Sequence, residues 1–329
     1  MRVYVTTSLP DPGVAPLVAA GFDVVHRDEP GPPGRAELLA GVADADALLC
    51  MLTERVDTEL LAAAPRLKIV ANYAVGFDNI DVDAATAHGV VVTTTPDVLT
   101  EATADLAWTL ILATARRVIE GDALVRSGRW TRFSPTMLLG SPVAGRTIGI
   151  VGLGAIGTAV ARRARGFDMT VLATTRRPHP AAEAEVGAER VPLVELLARS
   201  DIVSLHAPLY EENRHLIDGA ALARMKPTAI LVNTGRGPLV DEPALVAALQ
   251  AGALAGAGLD VYEHEPALTP GLAELTNVVL LPHIGSATTE ARGAMVRLCC
   301  DNIAAVLAGR SALTPRNSPG AVGRERPGG

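Results

Sequence analysis

Three segments in the second half of the chain each place an ionisable residue directly after an apolar run. Arg236 follows AILVNTG, Glu265 lies in GLDVYEHEP, and His283 follows NVVLLP. If these runs are neighbouring parallel strands, their carboxyl ends meet at the sheet edge where ligands bind. A guanidinium can bind both oxygens of a carboxylate, and an imidazole can donate a proton near neutral pH. The three segments therefore predict a catalytic site at this edge.

A glycine-rich segment over 152–157 has the spacing of a dinucleotide-binding fingerprint. It lies between a predicted strand over 146–151 and a predicted helix over 155–165, and it consists of Gly152, Leu153, Gly154, Ala155, Ile156 and Gly157. Gly152 permits a tight turn, Gly154 lets the backbone approach a pyrophosphate, and Gly157 allows the helix to pack closely on the strand. The helix N-terminus adds N–H donors and positive potential. The segment therefore predicts a bound dinucleotide.

The end of the next apolar run, MTVLAT, indicates which dinucleotide is preferred. An acidic residue at this point would bind the ribose 2′-hydroxyl of NAD. Here Thr175, Arg176 and Arg177 follow the run, so no carboxylate repels a 2′-phosphate and a guanidinium is available to bind it. We therefore expect NADP(H) to be preferred, with NAD(H) as the second candidate. The alternative interpretation of these arginines is a solvated loop.

Short apolar runs alternate with Ala- and Leu-rich helical segments along the chain. This alternation is typical of βα units on parallel sheets, whose strands are buried on both faces. It predicts an α/β protein with two doubly wound parallel-sheet domains, a Rossmann cofactor domain and a flavodoxin-like substrate domain. The length of 329 residues also favours two domains.

The predicted substrate domain is discontinuous and consists of residues 1–98 and 288–310, on either side of a dinucleotide-binding domain over 99–287. One long helix, capped by Thr100, is predicted over 101–127, and a last helix over 288–307. The tail over 311–329 is rich in Pro, Gly and Arg and has no apolar face, so we expect it to be disordered.

Composition argues against several classes of protein. The net charge of -7 disfavours nucleic acid as a partner. No signal peptide or membrane-spanning run is recognisable, so we expect a cytoplasmic protein without a membrane partner. The three cysteines form no C-x-x-C pair, so we assign no metal and no disulfide.

The order and spacing of these segments resemble the D-isomer-specific 2-hydroxyacid dehydrogenases, and among them the glyoxylate/hydroxypyruvate reductases, from residue 1 to about 310. Further segments carry the resemblance, namely ANYAVGFDNID over 71–81, TPDVLT over 95–100, VRSGRW over 125–130 and the run over 282–288. The resemblance implies NADPH-dependent reduction of a small 2-keto acid, such as glyoxylate or hydroxypyruvate, to the D-2-hydroxy acid. It also implies a homodimer joined through the cofactor domains.

The resemblance assigns roles to individual residues. Arg236 would bind the substrate carboxylate and polarise the keto group, while His283, with Glu265 as its partner, would donate the proton. A protonated imidazole suits the alkoxide character that develops as a ketone is reduced. The implied substrate contacts are Leu52, Val75, Gly76, Arg236 and His283. The implied cofactor contacts, besides 152–157 and 175–177, are Thr103, His206, Pro208, Thr234, Gly235, Asp260, His283 and Gly285.

One position departs from the reductases. They often carry a Trp in the segment that reaches the neighbouring subunit's active site, and this chain has Met137 at the corresponding point. Because Met is more adaptable than Trp, we expect a wider range of keto acids to be accepted. Packing of Met137 in the dimer core is the alternative interpretation.

Two other functions stay open at this stage. The substrate could be another small D-2-hydroxy acid or 2-keto acid. Some members of the superfamily are instead similar to dinucleotide-sensing transcriptional corepressors, which work mainly as binding modules. The acidic net charge and the complete set of Arg236, Glu265 and His283 favour an enzyme.

Overall fold

The chain forms two compact α/β units. The computed structural model describes residues 1–29 and 31–319. One unit consists of Met1–Leu99 and the segment that starts at Ala287, and the other of Thr100–Ser286. The predicted crossings follow residues 98 and 287, whereas the observed ones follow residues 99 and 286.

The first unit is built on a five-stranded parallel sheet. Its strands are β1 (Arg2–Val5), β2 (Asp23–His26), β3 (Ala47–Cys50), β4 (Ile69–Asn72) and β5 (Val91–Thr93). The helices between them are α1 (Ala15–Ala19), α2 (Arg35–Val42), α3 (Thr58–Ala63) and α4 (Val82–Ala87). The strand order is β2-β1-β3-β4-β5, which is the flavodoxin-like order. Every residue of β3 and β4 is buried, because helices cover both faces of the sheet.

The second unit is built on a seven-stranded parallel sheet. Its strands are β6 (Thr147–Val151), β7 (Thr170–Thr174), β8 (Glu189–Arg190), β9 (Ile202–Leu205), β10 (Ile230–Asn233), β11 (Gly256–Leu259) and β12 (Val278–Leu280). Its helices are α5 (Thr100–Ala115), α6 (Val118–Arg126), α7 (Ala155–Ala164), α8 (Pro180–Val186), α9 (Leu193–Arg199), α10 (Gly219–Leu222) and α11 (Glu242–Gln250). The order β12-β11-β10-β9-β6-β7-β8 reverses between β6 and β9, which opens a ligand crevice beyond their carboxyl ends. The predicted α/β fold class with two parallel sheets is confirmed.

The chain returns to the first unit in the helix α12 (Thr289–Leu307). The side chain of Thr288 caps this helix by accepting a hydrogen bond from the N–H of Ala291. Val296, Cys299 and Ile303 pack against residues of β1, β3 and β4. The first sheet is therefore covered on this side by the last helix of the sequence.

The prediction of one continuous helix over 101–127 is wrong, because the structure has two helices there, α5 and α6. Arg117 adopts a left-handed conformation with φ 53° between them. The carbonyl of Ala115 accepts a hydrogen bond from the N–H of Ser141 at 2.8 Å, and Gly140 lies against the same carbonyl. A distant segment therefore takes an acceptor that a continuous helix would need.

Two other features differ from the sequence-based expectations. The strand β8 has two exposed residues and no apolar run, so periodicity gave no sign of it. The disorder predicted for the tail over 311–329 is wrong for residues 313–317, because these residues bond to α12, to β5 and to the residues that flank β5. Their partners are polar groups, which an argument from apolar burial does not detect. Residues 320–329 lie outside the described part of the chain.

Candidate active site

The glycine-rich turn after β6 has the backbone geometry that its spacing predicts. Gly152 has φ +95°, and a Cβ there would lie 2.6 Å from the backbone nitrogen of Ala207. A Cβ on Gly157 would lie 2.0 Å from the carbonyl oxygen of Gly152. Larger residues at these two positions would therefore force β6 apart from its neighbours.

The N-terminus of α7 offers a cradle for an anion. Within the described residues, a Cβ on Gly154 would meet nothing within 4 Å, and no side chain caps the helix. The open space beside Gly154 leaves room at the helix N-terminus, where unpaired N–H groups and the helix dipole favour negative charge. Leu153 is buried in the core and offers only its backbone. These residues fit the pyrophosphate of a dinucleotide.

The loop after β7 holds its arginine against an aromatic ring. The guanidinium carbon of Arg176 lies 4.8 Å from the ring centroid of Tyr210. The hydroxyl of Thr175 donates to the carbonyl of Arg177 at 2.6 Å, which tightens the turn. Both arginines are exposed. The loop therefore presents positive charge without an acidic residue directly after the strand.

A neutral histidine lies at the end of β9. The Nε2 atom of His206 is 2.9 Å from the hydroxyl of Ser204, and its Nδ1 atom is 3.4 Å from the hydroxyl of Thr234. Burial lowers the pKa of His206 to about 4, so the ring is uncharged near neutral pH. Pro208 follows on the same edge.

The loop that carries Arg236 is fixed by an asparagine that the sequence analysis missed. The Nδ2 atom of Asn233 donates to the carbonyl of Arg236 at 2.9 Å, and its Oδ1 atom accepts from the N–H of Gly235 at 3.0 Å. A Cβ on Gly237 would lie 1.8 Å from the carbonyl oxygen of Tyr262. The sequence N-T-G-R-G could have indicated that this loop lies close to the backbone at Tyr262. In it, an Asn ends a strand and two glycines flank Arg236.

Glu265 and His283 form a hydrogen-bonded pair. The Oε2 atom of Glu265 lies 2.8 Å from Nδ1 of His283, and its Oε1 atom accepts from the N–H of Tyr262 at 2.9 Å. Burial acts to raise the pKa of Glu265, but the hydrogen bond and charge of His283, the Tyr262 N–H and the Arg236 charge together lower this pKa below its ordinary value. The carboxylate is therefore ionised near neutral pH and orients the imidazole.

Asp260 fixes the backbone of the loop that carries His283. This carboxylate is 1% exposed, and its two oxygens accept from the N–H groups of Ile284 and Gly285, each at 2.7 Å. Burial raises the pKa of Asp260 despite these donors. His283 has φ 54°, a conformation that these two bonds hold in place. A Cβ on Gly285 would lie 3.4 Å from the side chain of the buried Thr103, so the loop also packs closely on α5.

In the first unit, two asparagines hold together the loops that contain Leu52, Val75 and Gly76. The Nδ2 atom of Asn72 donates to the carbonyl of Gly76 at 2.9 Å. The Nδ2 atom of Asn79 donates to the carbonyls of Met51 and Glu54 at 3.1 and 3.0 Å.

The backbone of the loops that contain Leu52, Val75 and Gly76 is therefore fixed by buried and half-buried amides. The asparagines of the segment over 71–81 were not predicted to have this role.

Neither a metal centre nor a membrane span is found among the described residues. No group of His, Cys, Asp and Glu residues there could hold a metal ion. Among the helices of the same ranges, none is long and apolar enough to cross a membrane.

Comparisons with known proteins find similarity over most of the chain. The family model described as D-isomer specific 2-hydroxyacid dehydrogenase, NAD binding domain, matches residues 108–285. The glyoxylate reductase of Thermococcus onnurineus (strain NA1) is 54% identical over 308 residues, which cover 92% of each chain.

Solved structures show the same similarity. The TT0316 protein from Thermus thermophilus has 45% identity and a TM-score of 0.91, with 96% of this chain and 100% of that chain covered. An NADPH-dependent glyoxylate/hydroxypyruvate reductase from Sinorhizobium meliloti, solved with NADP and malonate, has 37% identity and a TM-score of 0.85. The alignment covers 95% of this chain and 96% of that chain.

Proposed function

The chain belongs to the D-isomer-specific 2-hydroxyacid dehydrogenase family and is an oxidoreductase, and from this premise we propose that it reduces glyoxylate or hydroxypyruvate with NADPH. The observation that carries the proposal is the pair formed by Glu265 and His283, on the same sheet edge as the glycine-rich turn. The name glyoxylate reductase, borne by relatives about half identical in sequence, supports the choice of substrate.

In the proposed reaction, Arg236, Glu265 and His283 have separate roles. The nicotinamide, when bound, supplies a hydride to the keto carbon. His283, held through Nδ1 by Glu265, gives the proton on Nε2 to the keto oxygen, so that the carbonyl becomes an alcohol. Arg236 binds the substrate carboxylate with its planar fork and polarises the keto group. The backbone of Val75 and Gly76 offers further N–H groups to the carboxylate, and Leu52 bounds the substrate.

The proposed cofactor contacts follow from the second unit. The turn over 152–157 would hold the pyrophosphate, and Thr175, Arg176 and Arg177 would hold a 2′-phosphate. The remaining contacts that we propose are Thr103, His206, Pro208, Thr234, Gly235, Asp260 and Gly285. The NADP named with the Sinorhizobium meliloti reductase supports this preference.

We also propose that two copies associate through the surface over 118–139. Ile119, Phe133 and Leu139 are large apolar residues that this chain leaves exposed, with Phe133 79% exposed. Ile119 and Leu139 also line a cavity of about 240 Å³. A second copy would cover this apolar surface. Phe133→Glu should give monomers in sedimentation experiments, whereas Val18→Glu, at an exposed apolar residue of the first unit, should not.

The test of the activity is a panel of keto acids followed through the absorbance of NADPH. Glyoxylate and hydroxypyruvate should be reduced, and the product should be the D isomer where the carbon is chiral. His283→Ala should lower kcat by about 100-fold or more, as expected for a positioned general acid. His88→Ala, which removes an exposed imidazole of the first unit, is the matched control and should keep the activity.

Two outcomes would overturn the proposal. If no keto acid is reduced while NADPH binds tightly, the protein is a dinucleotide-binding module of the corepressor kind. If only larger keto acids are reduced, the reaction class stands but the assigned substrate is wrong.

A further inference from the structure

The chain over 313–317, which we call the C-terminal clamp, pairs with the free edge of the first sheet. The N–H of Arg316 donates to the carbonyl of Val92 at 2.8 Å, and Pro315 lies opposite Thr93 in an antiparallel bridge. The strand β5 lies at the edge of its sheet, so it has backbone groups available for such pairing. The clamp is therefore an added, very short strand at that edge.

Two asparagines fix the position of the clamp. Asn302 of α12, fully buried, accepts from the N–H groups of Leu313 and Thr314 at 2.8 and 3.1 Å and donates to the Thr314 hydroxyl at 2.9 Å. Asn317 accepts from the N–H of Val92 at 2.8 Å and donates to the Val90 carbonyl at 2.9 Å. Polar groups at both ends of the clamp are thus satisfied, which fixes the place of the residues between them.

From this position Arg316 contacts the segment that follows Val75 and Gly76. Its guanidinium carbon lies 5.5 Å from the centroid of the Phe77 ring, within the range of a cation–π interaction. Its Nε atom donates to the hydroxyl of Thr94 at 2.7 Å, which fixes the direction of the side chain. Thr95, which follows Thr94 in the chain, donates its N–H to the carbonyl of Ala74 at 2.8 Å. The loop over 74–77 is therefore held at Ala74 by the backbone after β5 and at Phe77 by the clamp.

We propose that Arg316 is a positioning residue for the substrate carboxylate. It acts through Phe77, whose neighbour Gly76 presents one of the two backbone N–H groups assigned to that carboxylate. This role rests on the proposed function, because it requires a substrate that binds at Val75 and Gly76. The consequence is that the clamp contributes to substrate affinity without touching the reacting atoms.

The expected effect is modest and specific. An exposed cation–π interaction contributes about 0.5–1 kcal/mol, which corresponds to about a 2- to 5-fold change in an equilibrium constant. Arg316→Ala should therefore raise the KM for glyoxylate about 2- to 5-fold. Its kcat and its KM for NADPH should stay unchanged, because the clamp acts on the loop assigned to the substrate carboxylate.

A double-mutant cycle with Phe77→Leu tests whether the effect passes through Phe77. If Arg316 acts through the ring, Arg316→Ala should add nothing to the KM in the Phe77→Leu background, since the two changes remove one interaction. Arg316→Lys keeps a cation near the ring and should restore part of the affinity. Arg310→Ala, at an exposed arginine just after α12, is the control and should leave the KM for glyoxylate unchanged.

Hydrogen exchange separates this inference from the proposed function. Arg316→Ala should increase deuterium uptake in the peptide over 74–79, whether or not glyoxylate is the substrate. Increased uptake without any glyoxylate reduction would count against the proposed substrate. A variant with a lower melting temperature but an unchanged KM and unchanged uptake over 74–79 would overturn the inference, because the arginine would then be only structural.

Discussion

Replacing Glu265 with Gln keeps the shape of the side chain but removes the charge that faces His283. The carboxylate is ionised near neutral pH, because its pKa is lowered despite burial. Its Oε1 atom is already engaged by the N–H of Tyr262. In the variant, the amide oxygen should keep that bond, so the amide NH₂ would face Nδ1 of His283. A protonated imidazole carries a hydrogen on each nitrogen, so two donors would then face each other.

The size of the effect follows from the bond that is lost. A hydrogen bond of 2.8 Å between charged groups contributes about 1.5–3 kcal/mol to stability. Since about 1.36 kcal/mol corresponds to a tenfold change in rate, the loss should lower kcat/KM for glyoxylate by about 10- to 150-fold. The direction is downward, because the imidazole loses the carboxylate that orients it through Nδ1.

The assay is kcat/KM for glyoxylate reduction at a fixed pH. Glu265→Gln should lower this value by the factor given above. Glu263→Gln is a matched control, because Glu263 accepts from another imidazole, that of His215, at 2.7 Å. That variant should keep kcat/KM. An unchanged kcat/KM in Glu265→Gln would refute the role of Glu265 and assign the orientation of His283 to another group.

Four further predictions concern the cofactor and the range of substrates. Thr175→Asp with Arg176→Ala should shift kcat/KM from NADPH towards NADH, and a natural enzyme that already prefers NADH would contradict the assignment. Gly154→Ala should weaken NADPH binding, measured by the fluorescence of NADPH, because the added Cβ would lie where the pyrophosphate approaches the backbone. It should not lower the melting temperature, because a Cβ on Gly154 meets no protein atom within 4 Å. Gly157→Ala should lower the melting temperature as well, because its Cβ would lie 2.0 Å from a backbone carbonyl. We expect the natural enzyme to discriminate only about 10- to 200-fold among glyoxylate, hydroxypyruvate, pyruvate and 2-ketobutyrate. Met137→Trp should change this selectivity. If the kcat/KM values of all four keto acids keep the same ratios in the variant, the Met137 side chain does not shape the pocket.

Sequence reasoning succeeded where the determinants are local. The turn over 152–157 was predictable because Gly157 meets the carbonyl of Gly152 within the same βα unit. The strands were predictable because a parallel sheet buried on both faces leaves continuous apolar runs. The order of Arg236, Glu265 and His283 on one edge then follows from the topology.

It failed where a residue depends on a partner far along the chain. At the break near Arg117, the Ala115 carbonyl accepts from the N–H of Ser141, and no periodicity within the helix indicates this partner. The clamp is held by Asn302 and by the backbone of β5, so its composition alone predicted disorder. Polar, non-local contacts of this kind carry no hydrophobic period.

The return of the chain to the first unit in α12 sets an order for folding during synthesis. The second unit is one continuous stretch, so all of its strands are synthesised before α12 is made. In the first sheet, by contrast, Val5, Leu49 and Ile69 pack in one cluster with Val296 and Ile303, so α12 cannot cover them until those residues are synthesised. During that interval the sheet presents an apolar face, which is the kind of surface that chaperones bind and that aggregates at high concentration. Slowing translation just before residue 289 should therefore prolong the exposure of this apolar face. Rapid synthesis of α12 should shorten it.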